Sequence, residues 1–233
     1  MDPAAPATNR VLLAFLARRE ASQRQIVRDV GVSLGHVSQI FHWLEENGFA
    51  ERGRSEKRPA RGRGKEVYAL NNPTGLLRAI SLFRPMVRLR QFTLAVDIPK
   101  ETLVSDLSPR PIVFCLGTAL ERYSRFYRAD DVSIYAFPGG GALGAESLRR
   151  DLSNAREGIT RVSSYRLPTK MHGRRARGLP EERVLEILKA SGFLAKTQKG
   201  FVTTKVQTVV DLFCDGKAFA ARDLVKELWG VEL

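Results

Sequence analysis

The stretch SQRQIVRDVGVSLGHVSQIFHWLEENGF, residues 22–49, decides the fold of the N-terminal part of the chain. Ser22 is suited to cap a helix, and Gln25, three positions later, can return a hydrogen bond to the cap, which is a capping-box pattern. Gly31 is expected to end this helix because glycine tolerates the left-handed conformation that is common at helix ends. Ser33 is expected to cap a second helix. The stretch therefore predicts two short helices joined by a tight turn, a helix-turn-helix.

The second predicted helix carries an apolar stripe and a polar outer face. The stripe follows the i, i+3, i+4, i+7 spacing of one buried side, at Val37, Ile40, Phe41 and Leu44. Small residues on the outer face permit close approach to a groove of DNA, and a glutamine there can make a bidentate contact to adenine. The face holds no arginine, so direct reading of guanine should be weak. The candidate DNA contacts on this helix are Ser33, Gly35, His36, Ser38, Gln39 and His42.

A basic loop follows the two helices. Strands are predicted at residues 49–54 and 66–70, and the loop SEKRPARGRGK lies between them. This order is typical of the wing of a winged helix, whose arginines suit phosphates or a narrow minor groove. The candidate contacts here are Arg52, Arg54, Lys57, Arg58, Arg61, Arg63 and Lys65.

Residues 8–72 resemble the winged helix-turn-helix transcription regulators of the MarR and ArsR kind. The resemblance rests on the order of cap, apolar stripe, glycine turn, second cap and apolar stripe in residues 22–53. It implies binding to double-stranded DNA, with the second helix in the major groove and the wing on the backbone or in the minor groove. A winged helix used for protein contacts is the alternative within the same fold.

The composition supports a polyanion as partner. The chain has 233 residues and a formal net charge of +13, which attracts nucleic acid, although it does not say which polyanion is bound. Neither a membrane-spanning segment nor a secretory signal is evident, so a cytoplasmic protein with no membrane partner is expected. Cys115 and Cys214 suit buried thiols, and the few histidines and cysteines form no ligand cluster, so no metal and no cofactor are expected.

Three parts of the chain are predicted: a winged helix DNA-binding domain over residues 1–73, a connector helix over 74–90, and a partner-binding or regulatory domain over 91–233. The connector sequence LLRAISLFRPMVRLR suits core packing or the seam of a homodimer. Its arginines, Arg78, Arg84, Arg88 and Arg90, are expected to extend the positive surface.

The last part is predicted to be a mixed α/β domain, which makes the whole chain α+β. Strands are expected at residues 91–97, 111–116, 132–137 and 159–167, a hairpin at 193–202, and helices at 117–127, 147–156, 180–191, 208–213 and 218–229.

A glycine-rich segment at residues 139–144 satisfies G-x-G-x-x-G, which is a weak signal for a dinucleotide site. Pro138 intrudes after the preceding strand, and Glu146 would repel phosphate at the start of the next helix. No acidic residue about twenty positions on is placed to bind a ribose. A surface loop is therefore the favoured interpretation.

Residues 115–137 resemble the core of a nucleotidyltransferase, in which paired carboxylates, usually D-x-D, hold two metal ions. Here the corresponding residues are Asp131 and Ser133, so the second carboxylate is replaced by a hydroxyl. Asp130 would point to the other side of the strand. A metal-dependent nucleotidyltransferase is an alternative function, but a degenerate relative without the chemistry is favoured.

Residues 117–137, together with 200–230, resemble the C-terminal region of AbiEi-type antitoxins and related regulators. Gln207 and Asp211 match part of the terminal pattern, although they also suit a capping and helix-surface pair. The resemblance implies an antitoxin-like adaptor whose residues 91–233 bind a protein partner, such as a nucleotidyltransferase-like toxin. A second basic loop, residues 170–178, suits either phosphate contact or solvation.

These observations predict a sequence-specific, double-stranded DNA-binding transcription regulator without a catalytic step. The adaptor and the nucleotidyltransferase remain the two alternatives.

Overall fold

The computed structural model describes residues 2–3, 5–54, 66–137, 144–167, 179–198 and 200–233. These residues form helices and two open sheets, so the predicted α+β class is confirmed. In the described residues, no helix combines the length and the apolar character needed to cross a bilayer.

The first elements of the chain form a three-helix unit with a small sheet. In chain order they are α1 (Pro6–Arg18), β1 (Glu20–Ala21), α2 (Gln23–Val30), α3 (Leu34–Glu46), β2 (Ala50–Arg54) and β3 (Glu66–Leu70). The strands lie in the order β1-β3-β2 and both pairings are antiparallel. The predicted helices are α2 and α3, and the predicted strands are β2 and β3. The strand β1 was not predicted, because two residues are too short to show alternation.

The turn between α2 and α3 forms as the sequence predicts. Ser22 accepts a hydrogen bond from the Gln25 amide, and the Gln25 side chain accepts one from the Ser22 amide at 2.8 Å. Gly31 ends α2 with φ at +66°, and its amide donates to the Val27 carbonyl. Ser33 caps α3 by accepting from the His36 amide. These caps satisfy amide groups that the ends of a helix leave free, so the two helices are defined locally.

The apolar stripe of α3 forms the centre of the N-terminal core. Val37, Ile40, Phe41 and Leu44 are completely buried, as the spacing predicts. The Phe41 ring packs edge-on against Phe15 of α1 and Tyr68 of β3, with ring centroids 5.0 and 4.6 Å apart. The orientation of α3 is therefore set by aromatic contacts from both sides.

The chain then continues through α4 (Pro73–Phe83) and a 3₁₀ helix (Met86–Leu89) into a second sheet. Its strands are β4 (Arg90–Val96), β5 (Val113–Phe114), β6 (Asp131–Ala136), β7 (Thr160–Arg166), β8 (Leu194–Thr197) and β9 (Gly200–Thr203). Its helices are α5 (Lys100–Leu107), α6 (Leu116–Leu120), α7 (Ala145–Ser153), α8 (Glu181–Ala190), α9 (Lys205–Cys214), a 3₁₀ helix (Ala218–Ala221) and α10 (Arg222–Trp229).

The six strands lie in the order β4-β7-β6-β5-β9-β8. The pairs β6–β7 and β5–β9 are parallel, and the others are antiparallel. Alternate side chains of β6 enter separate clusters: Ile134 packs with α5 and α7, whereas Tyr135 packs with α8 and α9. The sheet is therefore covered on both sides, which hides the alternation that helps to recognise a strand.

One expectation for this part is wrong, and one helix was missed. The helix expected over residues 117–127 ends at Leu120, and Phe126, which helical spacing places on the buried side of the expected helix, is 93% exposed. The helix α5 was not predicted at all.

The N-terminal and C-terminal parts pack against each other. Helix α4 contacts α9, and a single buried cluster runs from Val11 of α1 to Val225 of α10. The indole N–H of Trp229 donates to the Leu16 carbonyl at 3.0 Å, and Arg19 donates to the Glu227 carbonyl at 3.3 Å. The predicted boundaries of the three parts remain a prediction.

Candidate nucleic-acid interface

The outer face of α3 is exposed and uncharged at its N-terminal end. Gly35, Ser38, Gln39 and His42 are exposed, which confirms their predicted orientation, and His36 is half-buried. No side chain from Ser33 to His42 is an aspartate, glutamate, lysine or arginine. The face can therefore approach another surface closely without the cost of removing water from a formal charge.

Three polar groups on this face already have partners within the protein. The Ser33 hydroxyl oxygen accepts from the His36 amide at 3.3 Å, so this serine keeps its proton to donate. The His36 ring lies 3.5 Å from the Thr8 hydroxyl, which limits how far it can turn outward. His42 lies 3.2 Å from Glu46, one turn further along α3. Among the described contacts, the side chains of Ser38 and Gln39 have no partner in the chain, and the Gln39 amide can both donate and accept a hydrogen bond with another molecule.

Leu34 is a residue of this face that the sequence did not single out. It directly follows the Ser33 cap, and its side chain is 47% exposed. Its spacing from Val37 and Phe41 suggests the buried stripe, so a pattern of apolar residues cannot distinguish it from a core residue. An exposed leucine here offers the apolar contact that a thymine methyl group accepts.

Arg52 on β2 is exposed but is already engaged. Its guanidinium donates a hydrogen bond to the Glu66 carboxylate on the neighbouring strand. This bond and the charge of the carboxylate raise the pKa of Arg52. A phosphate that approached Arg52 would therefore compete with the Glu66 carboxylate for the guanidinium.

The side chains of the other predicted wing contacts lie outside the part of the chain that the structure describes. The side chain of Arg54 lies outside the described residues, as do Lys57, Arg58, Arg61, Arg63 and Lys65. Two further cations, Arg24 and Arg28, are exposed on α2, directly before α3. They were not among the predicted contacts, because only a structural role was predicted for α2 and the DNA contacts were assigned to α3 and the wing.

The connector extends the positive surface at Arg78, Arg88 and Arg90, which are exposed as predicted, but not at Arg84. Arg84 is 8% exposed, and its guanidinium lies 2.9 Å from the Asp211 carboxylate on α9 and 2.9 Å from the Tyr135 hydroxyl on β6. The expectation of a solvent-facing Arg84 is therefore wrong. Its charge is neutralised inside the protein, where α4, β6 and α9 meet.

Gln207 and Asp211 are also buried, so the helix-surface interpretation of this pair is wrong. The Gln207 amide donates to Asp211 at 2.7 Å, and the Tyr135 hydroxyl donates to the same oxygen at 2.9 Å. Within the described residues, the second carboxylate oxygen of Asp211 is buried without a hydrogen-bond partner. We call Arg84, Tyr135, Gln207 and Asp211 the buried polar cluster.

The charges within this cluster are set by opposing effects. Burial raises the pKa of the Asp211 carboxyl, while the Arg84 guanidinium and the hydrogen bonds from Tyr135 and Gln207 oppose that rise. A cation at 2.9 Å and two donors stabilise the charged form of the carboxylate and so oppose the effect of burial. Burial also raises the pKa of Tyr135 well above its usual value and that of the nearby Cys214 thiol to about 11. Both groups are therefore neutral at physiological pH.

The residues that suggested a nucleotidyltransferase lie at the start of β6. The Ser133 hydroxyl is buried and lies 3.3 Å from an Asp131 carboxylate oxygen, and Asp130 is exposed. Thr118 of α6 accepts a hydrogen bond from the Ser133 amide at 2.9 Å. Within the described ranges, no group of three or more acidic, histidine or cysteine side chains could hold a metal ion.

Two loops with candidate roles lie mostly or entirely outside the described residues. Of the glycine-rich segment, only Gly144 is described. It is the N-cap residue of α7 and has no side chain that could bond the free amides, and Glu146 lies in the first turn of the helix. The second basic loop, residues 170–178, is not described either.

Comparisons with protein-family models, with curated proteins and with solved structures found no match to this chain.

Proposed function

We propose that this protein is a double-stranded DNA-binding transcription regulator of the winged helix-turn-helix type, as its resemblance to MarR-like and ArsR-like regulators implies. The observation that carries the proposal is the outer face of α3 over residues 33–42, which is free of formal charge, largely exposed, and small at Gly35 and Ser38. A major groove about 12 Å wide admits a helix whose outer residues are this small.

The surrounding elements support the same function. A winged helix suits the order of the first elements, α1, β1, α2, α3, β2 and β3, and their antiparallel sheet β1-β3-β2. The segment between β2 and β3 would be its wing. That segment carries Lys57, Arg58, Arg61, Arg63 and Lys65. In this proposal α3 reads bases and the wing holds phosphates, which separates specificity from affinity.

The test is a titration of the full chain with labelled duplex DNA between about 50 and 200 mM salt. The triple variant Arg58→Ala, Arg61→Ala, Arg63→Ala should flatten the dependence of log K on log salt by about 0.9 for each lost phosphate contact. It should weaken binding to all duplex sequences alike, because phosphates carry no sequence information.

The matched control removes three exposed arginines from another part of the surface: Arg149→Ala, Arg150→Ala, Arg156→Ala. It loses the same net charge but should keep the salt dependence of the wild type. Equal effects of the two triple variants would show that only net charge matters. A wild-type chain that ignores duplex DNA at low salt, yet binds RNA, would refute the proposal.

The two alternatives lead to different measurements. A nucleotidyltransferase would incorporate nucleotides in the presence of Mg²⁺, and Asp131→Ala would abolish this activity. The hydroxyl of Ser133 in place of a second carboxylate speaks against it. An adaptor would bind a protein stoichiometrically through residues 91–233, with DNA binding secondary.

A further inference from the structure

A groove lies between α4, α9, the second 3₁₀ helix and α10, away from the residues that we assign to DNA. It encloses a cavity of about 540 Å³, and Arg78, Ser81, Phe213, Phe219 and Arg222 are among its lining residues. We call it the α4 groove. Phe213 is buried and belongs to the core, whereas Phe219 is 77% exposed, so the groove joins the core to the solvent.

Apolar side chains continue along the surface of α4 beyond the cavity. Leu82 lies one turn after Arg78 on the same side of the helix and is 79% exposed. Phe83, which follows it, and Val87, in the 3₁₀ helix after α4, are also exposed. With Phe219, they make up four of the nine large apolar side chains that are exposed among the described residues. Exposed apolar side chains of this size beside a groove are typical of a surface that binds another molecule.

The charged side chains that line the groove are positive. Of its described lining residues, two are arginines and none is acidic. Arg78 makes no ion pair in the part of the chain that the structure describes, and the carboxylate that pairs with Arg222 belongs to its neighbour Asp223, at 3.8 Å. The groove therefore favours a ligand that brings both apolar groups and carboxylates.

We infer that the α4 groove binds an acidic amphipathic segment of a protein partner, with apolar side chains over Phe219 and Leu82 and carboxylates on Arg78 and Arg222. A small molecule would fill the cavity but leave the exposed residues along α4 uncovered. A second copy of this chain fits poorly, because a two-fold contact places the same patch on itself and would bring guanidinium groups together. This inference is independent of DNA binding by α3.

The test uses three synthetic peptides. One is an amphipathic helix with leucines at i, i+3, i+4 and i+7 and glutamates elsewhere; the second has lysine in place of glutamate; the third is a scramble of the first. We expect the full chain to bind the first at least about tenfold more tightly than the scramble, and not to bind the lysine peptide. The scramble controls for simple attraction of acidic peptides to a basic protein.

A charge exchange locates the site. The double variant Arg78→Glu, Arg222→Glu should weaken binding of the glutamate peptide by about tenfold or more and should now bind the lysine peptide. Arg149→Glu, Arg156→Glu introduces the same charge change at exposed positions elsewhere and should leave the preference unchanged. Since Arg78 and Arg222 are exposed, the double variant should keep the wild-type melting temperature.

Three results would overturn the inference. The first is equal binding of the glutamate peptide and its scramble, and the second is an unchanged preference after the charge exchange. The third is a dimer in sedimentation measurements that Leu82→Glu dissociates, because it would make a second copy the occupant. DNA binding should be normal in all groove variants, so failure here and failure of the proposed function can be told apart.

Discussion

Two arginine–carboxylate pairs of this protein have the same chemistry and opposite surroundings. Arg52 and Glu66 pair across β2 and β3, with side chains 51% and 56% exposed. Arg84 and Asp211 pair between α4 and α9, with side chains 8% and 0% exposed. The first pair is close in the chain and lies beside the proposed DNA interface, whereas the second joins residues 127 positions apart in the core.

The difference in exposure decides what each pair does. Water screens the exposed pair, so it contributes about 0–1 kcal/mol to stability and either partner can be drawn away by another charge. Breaking the buried pair leaves an uncompensated charge in the core, which costs about 3–5 kcal/mol. The same contact is thus available for binding on the surface and unavailable in the interior.

The largest effect is expected from Asp211→Ala. This change leaves the Arg84 guanidinium without a carboxylate and also removes the acceptor used by Tyr135 and Gln207. The free energy of unfolding, measured with urea, should fall by about 3–5 kcal/mol. Glu66→Ala is the matched control and should cost less than about 1 kcal/mol. Similar losses in both variants would contradict the distinction between the two pairs.

Tyr135→Phe should have an intermediate effect. It removes a buried hydroxyl that accepts from Arg84 and donates to Asp211, at a cost of about 1–3 kcal/mol. Burial keeps the Tyr135 phenol protonated in the folded state, while in the unfolded chain it ionises near about pH 10. Stability should therefore fall as the pH rises above about 10, and it should fall less in the variant. If stability depends on pH in the same way in both proteins, folding does not raise the pKa of Tyr135.

Gln39→Ala should affect binding and leave stability unchanged, because the side chain is exposed and has no described partner in the chain. Affinity should fall by about 1–3 kcal/mol for duplexes that carry the preferred base pair at one position, and little for other duplexes. Binding assays with a set of single-base substitutions measure this directly. The control is Gln198→Ala, at an exposed glutamine between β8 and β9. A uniform loss on all sequences would show that Gln39 does not read a base.

The smallest effect is expected from Glu66→Gln. It should release Arg52 to bind phosphate, so affinity for duplex DNA should rise and the salt dependence should steepen by about 0.9. Stability should change by less than about 1 kcal/mol, since the pair is exposed. The double variant Glu66→Gln, Arg52→Ala should lose the steeper salt dependence. If it does not, Glu66 acts through its own charge and not through Arg52.

Prediction from the sequence succeeded where the signal is local. The caps at Ser22 and Ser33 and the turn at Gly31 depend on atoms within four residues, and all three formed as expected. The predictions failed where the environment is made by distant segments. Arg84 was expected in solvent because neighbouring arginines surround it in the chain, yet Asp211 and Tyr135 come from other elements. Phe126 was expected to be buried by helical spacing, but the helix ends at Leu120.

The candidate site divides in the same way. The outward orientation of Gly35, Ser38, Gln39 and His42 was predictable, because one buried stripe fixes the opposite face of a helix. The exposure of Leu34 and the ion pair that engages Arg52 were not, because they depend on what packs nearby.

The amino-acid sequence by itself determined the positions of the first helices, the direction of their apolar faces and a net charge that draws polyanions. These properties follow from backbone geometry and from a sum over residues, so they need no knowledge of distant contacts. Only the tertiary structure decided which charges meet solvent, which are neutralised inside, and where the α4 groove lies. The reason is physical: the free energy of a charge depends on the water and the partners around it, and folding brings both from remote parts of the chain.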